Sequence, residues 1–385
     1  MTVRRSKKFN FNLAILSTGT LVFLLSSGFP IQFRVFGLAL IAISFIINSL
    51  IRRTVLNFSK ILPILFFSSC YLIGVVQNIL LGSQTTEIFG LTVLLVLLFP
   101  FFLICYNSFS SDEIKTLIFF ISKILSVVYF IIFSFLIVFN NSFGLIFVEI
   151  MKNFPGGFYY RPLGPIENFP LIWSQASILF MPLAIFVLFE KSAKSKLFWC
   201  LSFVVFLSLN RTGSFIILFF YVLKLFSYNF HSILKIAILI FSFLPVFFLT
   251  GILILFFFYS ENFKTEYSGF DIRLGHVLSV IKYLNHEFTW IYGMGADSQF
   301  ITMGWEGDGI TRDQEISYLE LLRRFGLVGF IFFNCGVIFA LSRFKLANNL
   351  SSFFSLISLL IFSFTNPCLI SLVFAVYFSL ISASD

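Results

Sequence analysis

"KLFWCLSFVVFLSLNRTGSFIILFFYVLK", residues 196–224, places one arginine, Arg211, between two apolar arms. Lys191, Lys194 and Lys196 stand before the first arm, and Lys224 and Lys235 follow the second. Cationic residues flanking apolar segments mark the cytoplasmic side of a membrane. A single helix cannot return both lysine groups to one side, whereas two can. The spacing therefore predicts a hairpin over 197–227, with arms near 197–209 and 213–227 and "LNRTG" (209–213) at its far apex. Asn210 and Gly213 suit a tight turn. A guanidinium in lipid is among the most expensive groups a span can hold. Arg211 therefore has two readings: a snorkelling anchor for the turn, or a cation projecting into a water- or ligand-filled cavity.

The same pattern extends through the whole chain. Its 385 residues are 59% hydrophobic and only 11% charged, with a mean hydropathy of +1.00; a soluble domain is closer to one quarter charged. Apolar runs predict an all-α, polytopic transmembrane protein with about 12 membrane-spanning helices. They lie near 11–28, 34–51, 61–81, 88–106, 115–138, 171–189, 197–209, 213–227, 235–258, 322–341, 350–365 and 367–382. Arg4, Arg5, Lys7 and Lys8 put the N-terminus in the cytoplasm. Alternation then places Arg52, Arg53, Lys60, Lys115, Arg343 and Lys345 on that side too. Residues 1–385 read as a single integral membrane domain with both termini cytoplasmic. Two long extracytoplasmic loops, 139–170 and 259–317, face the other way. The second carries most of the acidic residues and an amphipathic helix around "IRLGHVLSVIKYL"; "GMGADSQF" and "GWEGDGI" read as turns. The basic N-terminus leads into spans with no small-residue cleavage site, so no cleavable signal peptide is expected.

Composition also narrows the function. The net charge of +9 is spread as topology signals, which argues against a nucleic-acid partner. The five cysteines lack metal or redox spacing and are expected as buried free thiols. The sixty phenylalanines read as lipid-facing filler. No Walker, HExxH or GxSxG motif occurs, and no cofactor or metal is expected. Mid-span positions are almost free of charge, which disfavours a carrier with a central ionisable path.

The extracytoplasmic side holds the candidate chemistry. Arg161 in "YRPLGPIEN", Arg211 in "LNRTG" and Arg273 in "DIRLGH" stand in Gly/Pro-punctuated settings. Guanidinium is planar, permanently charged and donates two parallel bonds to phosphate. A pyrophosphate leaving group gains charge in the transition state, so fixed cations would stabilise that state most. Each arginine alone also reads as a surface charge or headgroup contact. His276 lies three residues after Arg273 on one helix face; it and His286 alternatively read as plain surface histidines. Glu315 and Glu320 enter the helix of "DQEISYLELLRRFG" and read as dipole contacts or, in a membrane cavity, as bases. Arg323 and Arg324 are either anchors or partners of Glu320, one turn away.

Three stretches carry a family likeness: "FYYRPLGPIENFPLIWSQASI", "FVVFLSLNRTGSFIILF", and "DIRLGHVLSVIKYLNHEFTWIYGMGADSQF" followed by "EISYLELLRRFGLVG". Together they resemble the bacterial O-antigen polymerase/O-antigen ligase superfamily. The resemblance implies a membrane glycosyltransferase of the inner membrane with its site facing the periplasm. Its donor and acceptor would be undecaprenyl-pyrophosphate-linked oligosaccharides in lipopolysaccharide or related polysaccharide biosynthesis. By motif match, Arg161, Arg211 and Arg273 would contact the pyrophosphates. Ligases of the superfamily commonly show a histidine where this chain has Glu315, which tilts the reading toward polymerase. It makes Glu315 the expected base and weakens His276 as one. Asn168, Arg312 and Tyr318 complete the expected pyrophosphate and glycan contacts. Chain-length control implies a regulatory partner. The alternatives are a ligase delivering glycan to lipid A-core and, from another class, a lipid-linked oligosaccharide flippase.

Overall fold

The computed structural model describes residues 11–26, 31–51, 58–80, 86–138, 146, 158–163, 166–172, 178–191, 194–207, 211–226, 269–284, 289–296, 298, 300–301, 310–311, 317–364 and 368–385. The chain is a membrane-embedded helical bundle. In order it forms α1 (Phe11–Leu25), α2 (Ile31–Ile51), α3 (Phe58–Leu80), α4 (Thr86–Asn107), α5 (Ser111–Val138), β1 (Phe158–Leu163), β2 (Ile166–Ile172), α6 (Phe180–Glu190), α7 (Lys196–Leu207) and α8 (Arg211–Phe226). Then come α9 (Gly269–Leu284), α10 (Thr289–Tyr292), β3 (Phe300–Ile301), β4 (Ile310–Thr311), α11 (Ser317–Leu346), α12 (Leu350–Phe362) and α13 (Leu372–Ala383). Among the described residues, four helices are long and apolar enough to cross a bilayer: Ile31–Ile51, Lys60–Leu80, Ser111–Val138 and Ser317–Leu346. The expected span at 235–258 lies outside the described residues.

The shorter apolar helices are mostly interior. Phe180 to Leu188 of α6 are all buried, as is every residue of α13. At 1.5 Å per residue, the 11 residues of α6 reach only about 16 Å. Surrounded by longer helices, α6 need not match the thickness of the lipid. Pro182 falls in its first turn, where the missing N–H is harmless. The predicted hairpin is present: α7 ends at Leu207, α8 begins at Arg211, and the two pack together.

Helices without a hydrophobic drive between them associate by close packing and hydrogen bonds. α3 and α11 do so through glycines: a Cβ on Gly336 would lie 2.9 Å from the Pro63 carbonyl oxygen. The aromatic interior departs from expectation. Phe67 is fully buried and packs against Phe99, Phe333, Phe374 and Phe378 at 4.8–5.8 Å between centroids. Such edge and tilted pairs add to dispersion packing, so the phenylalanines are core as well as lipid-facing. Phe33, Phe36, Phe203 and Phe215 are among the exposed ones. Of the cysteines, Cys70, Cys105 and Cys368 are buried as expected, whereas Cys200 is exposed and Cys335 half-buried; all five are free. Many buried hydroxyls bond back to the preceding turn, as Ser122 does to Ile118 and Ser202 to Phe198, which leaves those groups satisfied in apolar surroundings.

Charge collects at the two ends. At one, Lys115 pairs with Glu190 at 2.9 Å, Arg343 with Asp385 at 2.8 Å, and Lys60 donates to the Asp385 carbonyl at 2.8 Å. Ser351 and Asn48 join this Ser108 end by bonding to Glu190 and to the Ser108 carbonyl. At the other, the turn 293–298 meets α3 and α11. The alternation read from the cationic residues assigns the same helix termini to one side. Single cysteines at positions 195 and 348, in a chain lacking its native cysteines, are expected to resist a membrane-impermeant maleimide on intact cells. Cysteines at 142 and 302 are expected to react.

Two short antiparallel strand pairs add to the all-helical expectation. In the first, Arg161 stands opposite Phe169 and Tyr160 opposite Pro170. Pro162, Pro165 and Pro170 disfavour a helix across the pair, and β2 runs on to Ile172, so the helix expected from 171 starts instead at Phe180.

Candidate functional site

α11 builds the best-defined polar centre. Its first residues carry Glu320, Arg323 and Arg324, so positions i, i+3 and i+4 share one face. Arg323 donates from Nε to Glu320 Oε2 at 2.9 Å and from Nη2 to Oε1 at 2.7 Å, and Arg324 Nε also donates to Oε1. The three are only 4%, 0% and 2% exposed. Breaking such a buried group leaves a charge without compensation, at about 3–5 kcal/mol. The i+3/i+4 pairing is one of the two readings that the sequence offered for Arg323 and Arg324. Its consequence is that Glu320, held by two guanidiniums, is not a free base, and that both arginines are engaged within the protein.

The turn 293–298 completes this centre. α11 breaks at Gly326, where φ is 65°, leaving carbonyls of the preceding turn without helical partners. Met294 N–H donates to the Arg323 carbonyl at 2.8 Å, and Gly295 N–H to that of Arg324 at 3.1 Å. The side chains return the contact. Arg324 Nη1 donates to the Ala296 carbonyl at 2.9 Å, and Arg323 Nη1 to the Ser298 carbonyl at 2.8 Å and its Oγ at 2.5 Å. Ala296 N–H reaches across to the Gly74 carbonyl of α3 at 3.3 Å. Gly293 and Gly295, with φ of 83° and 90°, supply the left-handed backbone the turn needs. The sequence reading identified the turn but had no means of finding its docking site on Gly74 and Asn78, because that contact is long-range.

Of the elements bearing the expected site residues, α9 is the one seen to pack on α11 among the described residues. α9 carries Arg273 and His276 and packs on α10, α11 and β3. His276 is 2% exposed, a buried residue and not the surface histidine of one reading. Arg211 is the first residue of α8, at the apex side of the hairpin. Arg161 and Asn168 sit on the β1–β2 pair, which rests against α5. The side chains of Arg161, Asn168, Arg211 and Arg273 lie outside the described residues, as do Arg312, Glu315 and His286 altogether. Tyr318 is 3% exposed; its ring lies tilted against that of Phe364 at 4.4 Å between centroids, and its hydroxyl donates to the Leu360 carbonyl at 3.2 Å. That geometry makes Tyr318 a packing residue joining α11 to α12.

Two further cavities flank the bundle. An apolar groove of about 620 Å³ runs between α5 and α7, lined by Val127, Phe130, Trp199, Phe203 and Phe206. A polar pocket of about 300 Å³ at the Ser108 end is lined by Lys115, Glu190, Asn348, Ser351 and Asp385. Among the described residues, no three His, Cys, Asp or Glu side chains gather as metal ligands. No family model, no curated protein and no solved structure matches the chain.

Proposed function

We propose that the chain is a metal-independent membrane glycosyltransferase that polymerises undecaprenyl-pyrophosphate-linked repeat units into O-antigen or a related surface polysaccharide. In this reading the bundle has twelve spans, both termini are cytoplasmic, and the reaction takes place at the periplasmic face of the inner membrane. Arg161, Arg211 and Arg273 hold the pyrophosphates of donor and acceptor. Glu315 deprotonates the acceptor sugar hydroxyl, which attacks C1 of the donor glycan. The bond from C1 to the pyrophosphate oxygen breaks, and the lipid pyrophosphate leaves with the bonding pair. Three guanidiniums stabilise that developing charge more than the ground state.

The observation that carries this reading is the division of polar groups between the two ends. The buried hydroxyls of Ser122 and Ser202 bond within their own helices, and those of Tyr71 and Ser355 bond to the Leu369 and Pro182 carbonyls. The helix bearing Arg273 packs on α11, whose first residue, Ser317, follows Glu315 by two positions in the sequence. A surface enzyme requires polar chemistry at one end; a flippase requires ionisable groups along a central path.

Deletion of the gene tests the assignment. A lost polymerase leaves single repeat units on lipid A-core, a lost ligase leaves unattached lipid-linked polymer, and a lost flippase leaves units facing the cytoplasm. Single capped units are the expected profile; either other profile would refute the polymerase.

A further inference from the structure

The two buried arginines engage a loop with both backbone and side chain. The Arg323 and Arg324 carbonyls accept from Met294 and Gly295 N–H, while their guanidiniums donate to the Ala296 and Ser298 carbonyls. Glu320 bridges both guanidiniums from one turn earlier. The same short helical segment is fixed at its start. Ser317 N–H donates to the Ser363 carbonyl at 3.1 Å, and Ser317 Oγ accepts from Cys368 N–H at 2.8 Å. Residues 317–325 are thus held to the α12–α13 connection at one end and to the 293–298 turn at the other. That turn is itself tied to α3 through the Gly74 carbonyl.

We propose that Glu320, Arg323 and Arg324 are positioning residues. They lock the long loop onto α3 and α11, so that the chain on either side, bearing Arg273 before the turn and Glu315 just ahead of Ser317, leaves from fixed points. This rests on the polymerase reading for what Glu315 and Arg273 do, but not for the lock itself. The physical basis is that the break at Gly326 frees carbonyls that only an ordered turn can satisfy. A carboxylate shared by two guanidiniums keeps those cations in the fork geometry that reaches the turn. Lock and loop therefore order together, and loss of Glu320 releases both.

Amide exchange by mass spectrometry on the full chain in nanodiscs tests the lock. Glu320→Gln is expected to speed exchange at Met294 and Gly295 by about tenfold or more, with α13 unchanged. Where Glu320→Gln fails to fold, Arg324→Lys keeps the charge but loses the fork, and the same acceleration is expected. Turnover of a synthetic undecaprenyl-diphosphate oligosaccharide tests positioning. The variant should lose kcat by about tenfold or more with little change in KM, and keep the wild-type pH dependence at a lower plateau. Loss of the acidic limb of the profile, where activity rises as a carboxylate deprotonates, would instead make Glu320 the base and overturn the proposal. Unchanged exchange at 294–295 overturns the lock, and loosened exchange with wild-type turnover overturns positioning. A chain that polymerises nothing in any form would sink the polymerase reading alone, because the exchange result needs no turnover.

Discussion

Replacing Arg211 or Arg273 with alanine is expected to abolish long-chain polysaccharide while leaving protein abundance and membrane insertion intact. A positioned cation facing a departing diphosphate contributes about 3–4 kcal/mol to the transition state, or a 10²–10³-fold rate loss on removal. Repeated over each cycle of extension, such a loss erases long chains and leaves a residue of short ones. Arg211 heads α8, so an alanine there keeps a good helix former at a helix start and should not disturb the hairpin. Arg→Lys keeps the charge and loses the planar fork, so shortened ladders are expected from it. Wild-type ladders from both alanine variants, read on silver-stained gels beside an abundance blot, would contradict the phosphate assignment.

The second large effect is structural. Gly326→Ala and Gly293→Ala are each expected to lose about 3 kcal/mol or more and to fail to accumulate as folded protein. A Cβ on Gly326 would overlap the Ile291 carbonyl oxygen and the Gly293 nitrogen; one on Gly293 would overlap the Arg324 carbonyl. Every obstacle is backbone, so no rotamer relieves it, and both residues also lie at positive φ. Gly90→Ala is the control: its Cβ would meet nothing within 4 Å, and a neutral or slightly stabilising change is expected. Thermal unfolding in detergent separates them. Equal melting temperatures for all three variants would mean that the turn is not docked as described.

Those two glycines also show where the sequence stops being legible. Apolar runs and lysine placement located α1 to α5 and the α7–α8 hairpin to within a few residues, because both signals are local. Helix α11 begins at Ser317, not near 322, since Glu320, Arg323 and Arg324 depress the hydropathy of a segment whose charges pair across one helical turn. The pairing was readable from i, i+3 and i+4. The helix break at Gly326 was not, since its freed carbonyls are satisfied by Met294 and Gly295 some thirty residues away. The buried phenylalanines around Phe67 were misread for a similar reason: composition counts rings but cannot tell which face a neighbouring helix covers. Tyr318, assigned to substrate by its place in a motif, is used by α12 instead.

The central claim is that Arg161, Arg211 and Arg273, from three separated parts of the chain, meet one diphosphate. A cryo-EM map of the full chain in nanodiscs with undecaprenyl diphosphate tests it most directly. The account predicts phosphate density within about 3 Å of all three guanidiniums, at the end of the bundle that holds the 293–298 turn. Diphosphate bound elsewhere, or these side chains far apart or turned toward the Lys115–Glu190 end, would contradict it.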